Sequence, residues 1–190
     1  MLIFNSIEKI VVLTETEKAI LYGLFELVSY EKNDFLLKEG AVCKYEYFIM
    51  DGMARSYYIG DSGEEHTSMF FFDGWWTGNI LSFQKQIPST YYIQTLENSM
   101  VLRLNKENYV KMFDQVPKLE KYFRILFQNR VLALEEAMET RQSLTATERY
   151  HHFSSKYASF IQKIPLKYLA SYLNITPSYL SRIRSRKRFA

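Results

Sequence analysis

The chain has 190 residues and a formal net charge of +3, and its 47% apolar and 16% aromatic residues are enough for one or two packed domains. Its one cysteine, Cys43, excludes an intramolecular disulfide and a cysteine-built metal or iron–sulfur cluster. The first residues turn charged at Glu8 and Lys9, too early for a secretory signal, and no apolar run approaches the ~20 residues of a membrane span, so a cytoplasmic protein with no membrane partner is expected.

Thr14-Glu15-Thr16-Glu17 predicts a helix start with a capping box, followed by Ile20, Leu21, Leu24 and Phe25 on one face. From Tyr30 to Leu104 the pattern becomes strands and turns, and six of the seven glycines fall between positions 40 and 78. Tyr45–Met50 and Met53–Ile59 predict two strands joined by a tight hairpin turn at Asp51-Gly52. Gly60-Asp61-Ser62-Gly63 turns the chain into a strand over His66–Phe72, which Asp73-Gly74 ends. Tyr91–Leu96 and Met100–Leu104 predict two more strands. Many short strands with close turns suggest an antiparallel roll or sandwich.

Asn105 caps a short helix to Asp114, and Pro117 opens a long one to about Arg141. The long helix carries two apolar lines. Phe123, Phe127, Val131, Leu134 and Met138 form one; Leu119, Tyr122, Leu126, Ala133 and Ala137 form the other. Two lines imply two packing partners, here the chain's own roll and a second copy of the chain. The candidate dimer contacts are Leu119, Tyr122, Phe123, Leu126, Ala133 and Ala137. A helix buried within one domain is the alternative.

Thr145-Ala146-Thr147-Glu148 is a second capping box, opening a helix to about Ile161. Two short helices follow. Leu166, Leu169, Ala170 and Leu173 give the first its buried face. Asn174 suits a left-handed turn, Ile175 plugs the core beneath it, and Thr176-Pro177 starts the second helix with a cap and a first-turn proline. Leu180 and Ile183 then point inward. This leaves Thr176, Pro177, Ser178, Tyr179, Ser181 and Arg182 on the first turns, where a helix-turn-helix meets base edges. Arg184, Arg186, Lys187 and Arg188 form a basic end suited to phosphates.

Charge supports that reading. Residues 149–190 hold nine Lys/Arg and no Asp or Glu; against a whole-chain charge of +3 this leaves −6 on residues 1–148. A wholly cationic module binds a polyanion by counterion release. A helical hairpin with a solvated basic tail, or one that binds another protein, is the rival reading.

In its order of elements, from about Thr14 to Arg188, the chain resembles the cyclic-AMP receptor protein and fumarate–nitrate regulator (Crp/Fnr) family of bacterial transcription factors. Tyr47-Phe48-Ile49-Met50-Asp51-Gly52-Met53-Ala54-Arg55-Ser56-Tyr57 is similar to the first hairpin of that family's roll. The stretch from Leu169 to Ile183 is similar to its DNA-reading unit, with Arg182 in the place of a DNA-contacting arginine. The resemblance implies an α+β fold: an N-terminal antiparallel β-roll of the cyclic-nucleotide-binding, jelly-roll kind over 1–115, a long dimerisation helix over 116–141, and a C-terminal helix-turn-helix, winged-helix-like domain over 142–190. It also implies a homodimer on a palindromic double-stranded DNA operator, half-sites ~34 Å apart, with RNA polymerase as a further partner. Many members continue into a β-wing; here the sequence runs to Ala190 with the basic segment in that place.

The chain departs from the family at the cyclic-nucleotide site. Members that bind the nucleotide use a Gly-Glu-Leu turn and, about ten residues on, an arginine for the phosphate. Here the turn reads Gly78-Asn79-Ile80 and the arginine position falls near Ser89, with no arginine between Arg55 and Arg103 and Lys85 the one cation in between. A buried phosphate without a fixed cation is costly, which argues against cyclic AMP. Gly78, Asn79, Ile80, Ser89, Thr90 and Tyr91 remain a candidate effector pocket. Trp75, Trp76, Phe83 and Tyr92 either line it for an uncharged ligand or form the roll's core. No cofactor, metal site or catalytic set is expected. A cupin-type metal enzyme needs clustered histidines, and only His66 lies on a predicted strand while His151 and His152 point apart on a helix. Cys43 beside Lys44 is either a redox switch or an ordinary thiol.

Overall fold

The computed structural model describes residues 1–186, without the side chain of Arg186. The expected phosphate contacts Lys187 and Arg188 lie outside the described residues. The chain divides into two compact units. One comprises Met1–Ser56 and Phe70–Asn129; the other comprises Tyr57–Met69 and the chain from Arg130 onward.

The first unit begins with a helix the sequence reading passed over, α1 (Leu2–Glu8), whose Ile3 and Ile7 fall one turn apart and are both buried. α2 (Glu15–Leu24) carries the expected capping box: Glu17 Oε2 accepts from the Thr14 amide at 2.7 Å, and the Glu17 amide donates to Thr14 Oγ1 at 3.2 Å. The hydrogen bonds from the Thr14 amide and then from Lys118 hold the Glu17 carboxyl down to about 2.

Eight strands follow: β1 (Glu26–Tyr30), β2 (Phe35–Leu37), β3 (Tyr45–Asp51), β4 (Ala54–Ile59), β5 (Glu65–Phe71), β6 (Trp76–Thr77), β7 (Tyr92–Thr95) and β8 (Ser99–Asn105). They form two four-stranded sheets, ordered β1-β8-β3-β6 and β2-β7-β4-β5. β8 pairs antiparallel with β1 (Glu26 opposite Arg103) and with β3 (Phe48 opposite Leu102).

This topology corrects the expected hairpin at Asp51-Gly52. β3 and β4 lie in different sheets, so the turn hands the chain from one sheet to the other. Gly52 is required there twice over. Its φ is +110°, and a Cβ would sit 2.9 Å from the Cα of Ser99. β4 and β5, by contrast, are neighbours joined through the Gly60–Gly63 turn.

α3 (Ile80–Lys85) is capped by Asn79. α4 (Lys106–Gln115) is capped by Asn105, whose Oδ1 accepts from Asn108 N at 2.8 Å. The long helix α5 runs Leu119–Ser143. Its first turns belong to the roll. Leu119, Tyr122 and Phe123, at 0%, 2% and 4% exposure, pack with Ile3, Ile7, Phe48, Trp76 and Leu102. Trp76 Nε1 donates to Tyr122 Oη at 2.9 Å. These three residues were expected at a dimer contact, and their burial within one chain removes them from it; Leu126 also packs partly on this core. The exposed row is the continuation of the Phe123 line: Phe127, Val131, Leu134 and Met138, at 36%, 54%, 45% and 61%. The same packing accounts for a unit boundary within α5 rather than at residues 115/116.

In the second unit, α6 (Ala146–Lys156) opens on the capping box expected at Thr145 and Glu148. It ends before Ile161, the expected limit. α7 (Leu166–Tyr172) and α8 (Pro177–Arg186) follow. Tyr150, Phe153, Ile164, Tyr168, Leu169, Ala170, Leu173, Leu180 and Ile183 are buried on its helices and the loop before α7. The tip of the β4–β5 hairpin, Tyr57–Met69, belongs to this unit.

Candidate nucleic-acid interface

The turn between α7 and α8 is built as its residue types demand. Asn174 takes φ +55°, the left-handed region that Asn tolerates. Its amide donates to Ser171 O and that of Ile175 to Ala170 O, each at 3.0 Å, which satisfies the carbonyls at the end of α7. Thr176 Oγ1 accepts from Tyr179 N at 3.2 Å as the cap of α8, and Pro177 is its first residue. Leu180 and Ile183 face inward beside Leu169, Ala170 and Leu173, all buried. Ile175, expected as a core plug, is half-buried.

This seating leaves Thr176, Pro177, Ser178, Tyr179, Ser181 and Arg182 exposed. The Arg182 guanidinium lies over the Tyr179 ring, 5.3 Å from its centroid. Arg184, expected among the phosphate contacts, departs from this group. It is half-buried, and its Nη2 donates to Ile161 O at 3.4 Å. Helical spacing explains it: Arg184 follows Leu180 by one turn and so flanks the inward face.

Two more cations of this module have work inside it. Arg149 donates from Nη1 to Leu144 O at 2.8 Å and from Nη2 to Leu173 O at 3.1 Å, tying the end of α5 to the turn before α8. Lys156 pairs with Glu136, and its hydrogen bond keeps that carboxyl below the usual range. Sequence reasoning counted both only as charge. The helical placement of Arg149 four residues after the cap Thr145 was the available signal, but the carbonyls it reaches are set by the packing of α7. Lys163, Lys167 and Arg182 are exposed.

The candidate effector residues do come together. Asn79 is the cap of α3: its Oδ1 accepts from Ser82 N at 3.1 Å, and its Nδ2 donates to Ser89 Oγ at 2.9 Å. Ser89 Oγ donates to Tyr91 O at 2.8 Å, and Tyr91 Oη to Gly78 O at 3.1 Å. Asn79 and Ser89 are buried, Ile80 is half-buried, and Thr90 faces out. Gly78 is hemmed in by Glu46, whose Oε2 would lie 2.7 Å from a Cβ there. Lys85 is exposed, whereas Arg55 is fully buried, with Nη2 donating to Gln94 Oε1 at 3.2 Å. Trp76 and Phe83 are core residues: Trp76 packs edge-on to Phe48 at 5.4 Å and against Phe123 at 5.2 Å.

Cys43 is buried, its Sγ donates to Tyr45 O at 3.1 Å, and burial pushes the thiol up to about 11. The thiolate that a redox switch needs is thereby disfavoured. His66 sits 2.9 Å from Glu64 and His152 3.2 Å from Glu136. Among the described residues no group of three or more His, Cys, Asp or Glu is placed to hold a metal. None of the described helices is long and apolar enough to cross a membrane.

Residues 27–116 match the cyclic nucleotide-binding domain. The chain is 26% identical over 167 residues to an anaerobic regulatory protein of Haemophilus influenzae, covering 82% of this chain and 64% of that protein. It is 28% identical over 123 residues to the fumarate and nitrate reduction regulatory protein of Vibrio cholerae, covering 65% of this chain and 48% of the relative. The chain thus spans less than two thirds of the length of either. The solved structure of FixK2 from Bradyrhizobium japonicum superposes with a TM-score of 0.75 at 16% identity, covering 87% of this chain and 85% of that one, a likeness of fold.

Proposed function

From the premise that the chain belongs to the Crp/Fnr family of regulators, we propose that it is a cytoplasmic, homodimeric transcription regulator that binds DNA sequence-specifically. The supporting observation is the outward face of α8, where Ser178, Ser181 and Arg182 stand exposed on the first turns of a helix seated by a buried face. That face belongs to a segment, residues 149–190, with no carboxylate to repel a phosphate backbone. Arg182 can pair in bidentate fashion with guanine O6 and N7, and the serines can reach neighbouring bases or phosphates. Lys163 and Lys167 are placed to neutralise phosphates. Residues 142–190 act as the reader and the roll as an effector module.

The second copy docks on α5. Phe127, Val131, Leu134 and Met138 follow one another at four, three and four residues, the seam of a helix pair. A dimer of this kind presents two recognition helices to a palindromic operator, with RNA polymerase as the further partner. The roll does not take cyclic AMP. Asn79 stands where an acid would hold the ribose, its polar atoms are committed to Ser82 and Ser89, and no arginine occurs between the turn and Arg103.

Selection from a random duplex pool tests the proposal. A palindrome with a guanine in each half-site is expected, bound with an affinity that falls steeply as salt rises. Binding without sequence preference, or with a shallow salt dependence, would overturn it.

A further inference from the structure

Within the second unit, one side chain of the helix-turn-helix is joined to the tip of the β4–β5 hairpin. Ser171 Oγ donates to Glu65 O at 2.7 Å and accepts from Thr67 N at 2.9 Å. β5 is the last strand of its sheet, with β4 on one side only. An edge strand presents carbonyls and amides along its outer side. The carbonyl of residue 65 and the amide of residue 67 are the pair that one residue of a further parallel strand would bond. A serine hydroxyl is both donor and acceptor, so Ser171 takes the place of one residue of that missing strand.

Ser171 is also next to the turn that sets α8. Its own carbonyl accepts from Asn174 N, and that of the preceding Ala170 accepts from Ile175 N, each at 3.0 Å. Arg149 holds the carbonyl of Leu173 at 3.1 Å. The segment Ala170–Leu173 is therefore bonded forward to the turn and sideways to β5.

We propose that Ser171 is a positioning residue for DNA reading: it ties α7 to the β4–β5 hairpin, so that the placement of α8, and with it operator affinity, depends on where the hairpin tip sits. This rests on the function proposed above and adds the route by which the hairpin acts on the reader.

The test uses the full chain, with Ser171→Ala and Ser171→Thr, in two arms. Amide exchange at Thr67 needs no DNA. Ser171→Ala should accelerate it by roughly five- to tenfold, as for one net hydrogen bond, and Ser171→Thr, which keeps the hydroxyl, should leave it protected. In the second arm, affinity for the operator selected by the wild type should shift by about the same factor in Ser171→Ala. Affinity for a non-operator duplex should hold within about twofold, because no phosphate-binding cation has been removed. Unchanged Thr67 exchange in Ser171→Ala would remove the contact. Faster exchange with wild-type operator affinity would remove the coupling, and equal losses on both duplexes would reduce Ser171 to a stabilising role. A wild type that selects no operator would instead count against the DNA-binding reading, leaving the exchange result to judge the contact alone.

Discussion

At Asn79 and at Thr176 the chain starts a helix in the same way, a side-chain oxygen accepting from the amide three residues on: Ser82 N at 3.1 Å in the roll, Tyr179 N at 3.2 Å in the helix-turn-helix. Beyond the cap the two sites diverge. In the roll, Asn79, Ser89 and Tyr91 bond to one another and to Gly78, so the polar groups of the candidate pocket satisfy each other. In α8, Ser178, Ser181 and Arg182 remain exposed beyond the cap. The residue types are alike; their availability is not. A site that can bind keeps donors and acceptors facing solvent, whereas a folded turn consumes them.

The largest effects should come from extending this contrast to α5, where burial separates the first turns from the exposed row beyond them. Phe123→Ala is expected to cost about 3–5 kcal/mol of stability, read by denaturant unfolding. Leu134→Glu should yield monomers in ultracentrifugation that remain folded, with stability against unfolding lowered only by the lost contribution of association. Dimers of Leu134→Glu would take the exposed row out of the interface.

Arg182→Ala should come next. Loss of one bidentate guanine contact is worth about 1–3 kcal/mol per half-site, so operator binding should fall steeply while the melting temperature holds. A repeated selection that recovers the same guanine would show that another residue reads it.

Asn79→Glu breaks the comparison from the other side by restoring the acid of the nucleotide-binding turn. Calorimetry with cyclic AMP should still show no heat, since no arginine stands near Ser89 in the sequence. The variant should also lose up to about 1 kcal/mol through the altered cap and the broken bond to Ser89. Clear binding would reopen the roll as a cyclic-nucleotide site.

The smallest effect concerns acid. Glu17 has its folded pKa lowered to about 2 from 4.5, so its contribution is present above the unfolded value and is lost as pH falls from about 4.5 toward 2. Glu17→Gln should therefore lower the melting temperature slightly at neutral pH and leave it unchanged near pH 2. An equal loss at both ends would mean that packing, not ionisation, is responsible.

Local features were legible. The boxes at Thr14/Glu17 and Thr145/Glu148, the cap at Asn105, the left-handed Asn174 and the start at Thr176-Pro177 all stand where residue types three or four apart placed them. Non-local ones were not. β1, β2 and β6 were missed, because short edge segments carry little periodicity of their own. Gly52 announced a turn but not that the chain changes sheets there. Two apolar lines on α5 announced two partners but not that the first turns of both lines serve the roll.

From residues alone came the order of elements, the charge split between the two ends, and the outward set at Ser178, Ser181 and Arg182, since capping, helical spacing and net charge act over a few residues or as a simple sum. The tertiary structure alone decided that Leu119, Tyr122 and Phe123 serve the roll, that Arg149 and Arg184 spend their guanidinium groups on carbonyls, and that Ser171 closes the edge of β5. Each of those pairs a side chain with backbone or core many residues away, and such partners exist only once the chain has closed.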